Sequence, residues 1–135
     1  MTQEEKQLLL QDLSARLPYG IKIKRSNCPI NLSVTGILGE YVHHIPYYVG
    51  GNIEINTTKI DEVKPYLRPM SSITEDEREE YRKLGGIMGY DSEHDTWAMC
   101  AFAPEAYDWL NKKMFDYRGL ISKGLALEAP KDMYK

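Results

Sequence analysis

The chain has 135 residues, 42% of them hydrophobic and 27% charged, with a formal net charge of -3. That length serves one domain's core and not two large ones, and the composition excludes a disordered chain. Mean hydropathy is -0.50, no stretch reaches the roughly 20 apolar residues of a membrane helix, and no chain-wide positive field exists to hold nucleic acid by phosphate contact alone.

Residues 2–17 read as an amphipathic helix. Thr2 and Glu5 are spaced as a capping box, and Leu9, Leu10, Leu13 and Leu17 recur on one face. Pro18 and Gly20 stop it. Glu4, Glu5 and Asp12 sit where a secretory leader needs positive charge and then an apolar run, so a cytoplasmic setting is expected. The cysteines, Cys28 and Cys100, lack CxxC spacing and read as two reduced, mostly buried thiols.

Residues 21–57 read as β structure. Ile21 to Arg25 alternates apolar and basic residues, and residues 26–29 carry turn signals. Ile30 to Leu38 is a second strand, with a bulge expected at Gly36 and a turn at Gly39. Glu40 to Ile45 returns, with Tyr41 and His43 on one face and Val42 and His44 on the other. Tyr47 to Val49 and Ile53 to Thr57 flank a Gly50-Gly51-Asn52 turn. Asp61 to Lys64 suggests one helical turn. Pro65 and Pro69 then stiffen Tyr66-Leu67-Arg68 into an extended strap.

The second half is more helical. Thr74 and Glu77 form another capping box, acids fill the first turn, and Gly85 is placed to end a surface helix anchored by Tyr81 and Leu84. Residues 87–90 and 97–102 are expected to pair as a hairpin. Pro104 opens a helix with the stripe Ala106, Trp109, Leu110 and Met114. Asp116 is expected to cap a further helix from Tyr117 to Lys123, closed by Gly124, before Leu125 to Leu127 seals the remaining apolar surface.

Strands grouped before helices predict an α+β fold: a small antiparallel sheet or SH3-like partly open barrel, flanked by an N-terminal helix and two or three C-terminal helices. One domain over 1–135 is expected, with possible sub-lobes 1–70 and 71–135. The anchors named for its core are Leu9, Leu13, Ile23, Val34, Tyr66, Leu67, Trp97, Trp109, Leu110, Phe115 and Leu120.

Two stretches carry a resemblance. Val63 to Ser72, followed by an acidic helix, is the first. Asp108 to Asn111 with Phe115 to Ile121 and Gly124 to Pro130 is the second. Together they resemble a family of short uncharacterised proteins of gut Bacteroidales, often prophage- or phage-associated. The resemblance implies a mobile-element or phage accessory setting and brings no reaction, cofactor or active site. Lys113-Met114 stands where similar proteins carry a histidine pair, which argues against a metal role there.

No phosphate-loop, dinucleotide, zincin or nucleophile-elbow motif occurs. Asp91, Glu93, His94 and Asp95 crowd ligand types together, but Thr96 and Phe102 stand where a calcium loop needs glycine and glutamate, so a solvated turn is the better reading. His43 and His44 point to opposite faces of a strand and cannot easily share a metal. No catalytic residue, metal or cofactor is expected. Lys22, Lys24 and Arg25 with Tyr47 and Tyr48 are the candidates for single-stranded nucleic acid, by phosphate contact and stacking. Tyr66, Arg68 and Arg118 are the candidates for a partner surface, although the strap also suits packing on its own sheet. The leading expectation is a non-enzymatic binding or adaptor protein acting on another protein or on itself, and not on a membrane. A single-strand nucleic-acid binder and a small metal-dependent hydrolase using His43 or His44 with His94 are the alternatives.

Overall fold

The computed structural model describes residues 1–26, 28, 30–46, 56–91, 96–101 and 104–134; at residue 46 and across 87–91 and 96–101 it describes the backbone alone. Helix α1 (Gln3–Arg16) starts at the expected capping box: the Glu5 N–H donates to the Thr2 hydroxyl at 3.1 Å. Its inward face is Leu9, Asp12, Leu13 and Arg16, so the leucine spacing is right but half of the buried stripe is charged. A 3-10 turn at Leu17–Tyr19 and the left-handed Gly20 end it.

Six strands form one sheet: β1 (Lys22–Arg25), β2 (Leu32–Leu38), β3 (Tyr41–Pro46), β4 (Asn56–Lys59), β5 (Val63–Leu67) and the two-residue strand Leu127–Glu128, here β8. Their order is β4-β3-β2-β1-β5-β8. All pairs are antiparallel except β5 with β8, which run parallel. The architecture is therefore α+β with an open sheet, not a closed barrel. It exceeds the expected 21–57 span because the proline strap is itself a strand. Thr35 bulges from the β2–β3 ladder, where Val34 faces His44 and Gly36 already faces His43. That extra residue lets Leu32 and Val34 before it, and Ile37 after it, all pack on the first core.

Pro65 is tolerated for a geometric reason. The Ser26 N–H bonds the Glu62 carbonyl at 2.9 Å, and bonded and non-bonded pairs alternate along an antiparallel ladder. Pro65, opposite Ile23, thus falls at a non-bonded pair and forfeits no bond to β1. On its other side β8 pairs only with Tyr66 and Leu67.

Helix α2 (Glu75–Lys83) has the second capping box, and Gly85 follows it at φ 89°. Strands β6 (Gly86–Asp91) and β7 (Thr96–Ala101) form the expected hairpin, and α3 (Pro104–Lys112) starts at proline. The further helix at 117–123 is absent. Gly119 takes φ 74°, which breaks any helix running through it, and the segment folds as successive turns. Asp116 still caps, but its carboxylate accepts the N–H groups of Leu120 (2.7 Å) and Ile121 (2.9 Å), beyond the glycine.

Two apolar clusters result. One joins α1 to the sheet; the other joins α2 to α3 around Tyr81, Trp109 and Phe115. They do not divide at residue 70, because Met114, Leu120, Leu125 and Ala126 return to the first cluster. Of the expected anchors, Tyr66 is only half-buried, and the Trp97 side chain lies outside the described residues. Met114 adopts φ 62° at the end of α3, where glycine is usual. Its side chain, 1% exposed, is needed in the first core, which offsets the local strain.

Gly86 is sterically obligatory. A Cβ placed on it would fall 2.2 Å from the nearest atom of the Tyr81 ring, itself held 5.3 Å from Trp109 between ring centroids. Gly86→Ala should lower stability by about 1–3 kcal/mol. Urea denaturation will read this, and an unshifted midpoint would mean that Tyr81 turns aside freely.

Candidate functional site

The strap and the C-terminal tail build the site between them. At the end of β5, the Arg68 N–H donates to the Met114 carbonyl (2.7 Å), and the Arg68 carbonyl accepts the Asp116 N–H (2.9 Å). The backbone is thus stitched to the turn after α3. The Arg68 guanidinium lies 4.2 Å from the centre of the Phe115 ring. It makes a two-point pair with Glu77, Nη1 to Oε2 at 2.7 Å and Nη2 to Oε1 at 2.8 Å, and also donates to the Ser72 carbonyl. Burial alone would raise the Glu77 carboxyl, but bonds from Arg68 and Thr74 and the Arg68 charge outweigh it and hold the group below its usual range.

The tail continues from β8. Ala129 donates its N–H to the Leu67 carbonyl (2.8 Å), the chain turns through Asp132 at φ 69°, and Tyr134 comes back to the sheet. The Tyr134 hydroxyl donates to the Tyr66 carbonyl (2.7 Å) and accepts the Lys22 N–H (3.0 Å). The Lys22 ammonium lies 4.7 Å from the centre of the same ring. Burial pushes the Tyr134 phenol upward and the Lys22 ammonium downward from their ordinary values.

Two hollows border this tail. One, of about 560 Å³, is lined by Arg68, Ser72, Thr74, Glu77 and tail residues Glu128 to Asp132 with Tyr134. The other, of about 660 Å³, is lined by Tyr19, Lys22, Lys112, Lys113 and again Arg68, Glu77, Asp132 and Tyr134. Arg68, Glu77, Asp132 and Tyr134 line both hollows, which together are called the trough.

The sequence-derived candidates separate accordingly. Arg68 and Lys22 reach the trough, while Tyr66 contributes its carbonyl to the tail. Arg118 does not reach it: its Nη1 donates to Asp12 at 2.8 Å. Lys24 and Arg25 are exposed at the end of β1, and Arg25 begins the turn through its carbonyl. They line a separate hollow of about 370 Å³ with Lys64, Asp61 and Glu62. Tyr47, Tyr48 and His94 lie outside the described residues. Tyr19, Lys112, Lys113 and Tyr134 were not expected at a site; an aromatic residue near the end of a charged tail was the one available signal.

His43 and His44 do occupy opposite faces. His44 is 1% exposed and shares a 2.8 Å hydrogen bond with Thr58 Oγ1, while His43 Nδ1 lies 3.5 Å from Thr57 Oγ1. Among the described residues no three His, Cys, Asp or Glu side chains are grouped to hold a metal ion. Burial, then the charges of Arg25 and His43, push the His44 pKa down. The unfolded chain therefore binds a proton more readily than the folded one. The stability from neutral His44 is complete above about pH 6.5 and declines as pH falls below it. Glu77, also depressed, loses its contribution only in the lower carboxylate range. Urea midpoints should fall in two steps on acidification, and His44→Gln should abolish the upper step. A single step in both proteins would refute the assignment.

No helix among the described residues is long and apolar enough to cross a membrane. No family model matches the chain, and no curated protein and no solved structure matches it either.

Proposed function

We propose that the chain is a non-catalytic binding or adaptor protein of a phage-type or mobile-element accessory system, acting in the cytoplasm, which recognises another protein or a second copy of itself through the trough beside its tail. The observation that carries this reading is the state of the Arg68–Glu77 pair and of Tyr134 at the centre of the trough. Arg68 and Glu77 are locked together, with the Glu77 carboxyl held below its usual range, and burial raises the Tyr134 phenol further above its ordinary value. A general acid or base works best with a pKa near the operating pH. These groups hold a shaped, charged surface in place instead. The resemblance to phage-associated proteins supports the setting.

A photo-crosslinking residue at position 131, on the trough, should capture a partner or a second copy, while the same residue at position 123 should not. Capture at position 123 alone would overturn the reading.

A second reading has one observation in its favour. Lys24 stands directly opposite Lys64, with Arg25 beside them, and like charges paired across strands cost stability unless an anion compensates. Asp61 and Glu62 in the same hollow weaken the case. Salt-sensitive retention on single-stranded DNA, lost in Lys24→Glu with Lys64→Glu, would favour it.

A further inference from the structure

We infer that the basic end of the trough takes an acidic peptide segment of a partner protein, an inference that rests on the binding reading above and names the chemistry of the partner. Four cations and two carboxylates line this end: Lys22, Arg68, Lys112 and Lys113 against Glu77 and Asp132. Arg68 and Glu77 neutralise each other at 2.7 Å. Three lysines then face one aspartate, in a chain whose net charge is -3. The positive charge here is local and does not reflect the average surface.

The lysines come from separate elements that are fixed in place. Lys22 is on β1. Lys112 ends α3 and Lys113 follows it, at a terminus closed by bonds from the Met114 N–H to Asn111 and the Phe115 N–H to Leu110, each 3.1 Å. Among the described residues neither Lys112 nor Lys113 has an ion-pair partner. Lysine is a flexible point charge that accepts carboxylates from several directions. The Lys22 ammonium is placed by the Met133 carbonyl at 3.5 Å and by the Tyr134 ring, 4.7 Å from its centre. Tyr19, exposed beside the lysines, offers an aromatic face for a neighbouring peptide side chain.

Two hollows side by side favour a chain over a compact anion. The basic hollow shares Arg68, Glu77, Asp132 and Tyr134 with the second, whose lining has mixed charge from Glu128, Lys131 and Asp132. A small phosphate would use the basic end alone. An extended peptide places its acidic residues there and continues along the tail.

The test is fluorescence anisotropy with three labelled probes: a short peptide of glutamate and tyrosine, its glutamine counterpart, and a single-stranded oligothymidine. The glutamate peptide should bind saturably at about 50 mM salt and roughly tenfold more weakly at about 300 mM, as screened ion pairs require. The glutamine peptide should bind about tenfold more weakly than the glutamate peptide. Lys112→Glu with Lys113→Glu should lose about tenfold, and Lys112→Arg with Lys113→Arg should not. Thermal melting followed by circular dichroism confirms that each variant is folded, and Lys112→Gln with Lys113→Gln replaces the charge reversal if that variant is not. Equal binding of both peptides, tighter binding of the oligonucleotide, or no saturable peptide binding overturns the inference. If peptide binding fails while crosslinking at position 131 persists, the acidic class is wrong and the binding reading survives.

Discussion

Replacing Asp12 by alanine is expected to cost about 3–5 kcal/mol of folding stability, because it strands a buried cation. Asp12 is fully buried and accepts three charged hydrogen bonds. Arg16 supplies two, from Nε and Nη2, each at 3.0 Å, and Arg118 supplies one at 2.8 Å. Arg16 is fully buried as well; its Nη2 also reaches the Phe115 carbonyl at 2.6 Å, and its Nη1 finds no hydrogen-bond partner among the described residues. Without Asp12 the guanidinium would keep its desolvation cost and lose its compensation. Removing the pair together is a different experiment. Asp12→Leu with Arg16→Met should recover much of the loss, since apolar replacements of a buried ion pair are often neutral or stabilising. Urea denaturation of the single and double variants checks both statements. A single variant as stable as the parent would show that the pair is not energetically buried.

The same residues show where sequence reasoning ended. The stripe of α1 was legible because Leu9 and Leu13 sit at helical spacing. Asp12 and Arg16, four apart, have the spacing of an ordinary exposed helix pair. They are buried because Arg118 and the Phe115 carbonyl arrive from the far end of the chain, and no local pattern announces that. The strap was legible because proline acts on its own backbone and on its neighbour. The parallel pairing of Tyr66 with Leu127 was not, since two residues give no periodicity to read. The expected helix after Asp116 failed on a signal that was present: Gly119 stands inside it, and its left-handed backbone wins over the cap. The trough was illegible for a stronger reason. It joins Tyr19 and Lys22 with Arg68, Lys112 and Tyr134, residues of four separate stretches that meet only when the tail folds back onto β1.

Phe115→Ala should likewise cost about 3–5 kcal/mol, the usual range for deleting a buried aromatic ring. The ring is fully buried and stacks near Trp109, with centroids 5.7 Å apart and planes 22° apart. The Arg68 guanidinium also lies over this ring, 4.2 Å from its centre. The substitution therefore opens a cavity in the α2–α3 cluster and removes the floor beneath the Arg68–Glu77 pair. Phe115→Leu should cost less, because it refills most of the volume while losing the ring's attraction for the cation. The two largest effects should also be coupled. The Phe115 carbonyl is a partner of Arg16, so any backbone shift at 115 reaches the Asp12 network. Residues sharing one hydrogen-bond network depart from additivity by about 0.5–3 kcal/mol. The Asp12→Ala and Phe115→Ala double variant should lose less stability than the sum of the two. Strict additivity in a denaturation cycle would mean that the two clusters respond independently, and that the trough's Arg68 is held by its local pair with Glu77 and not by the core behind it.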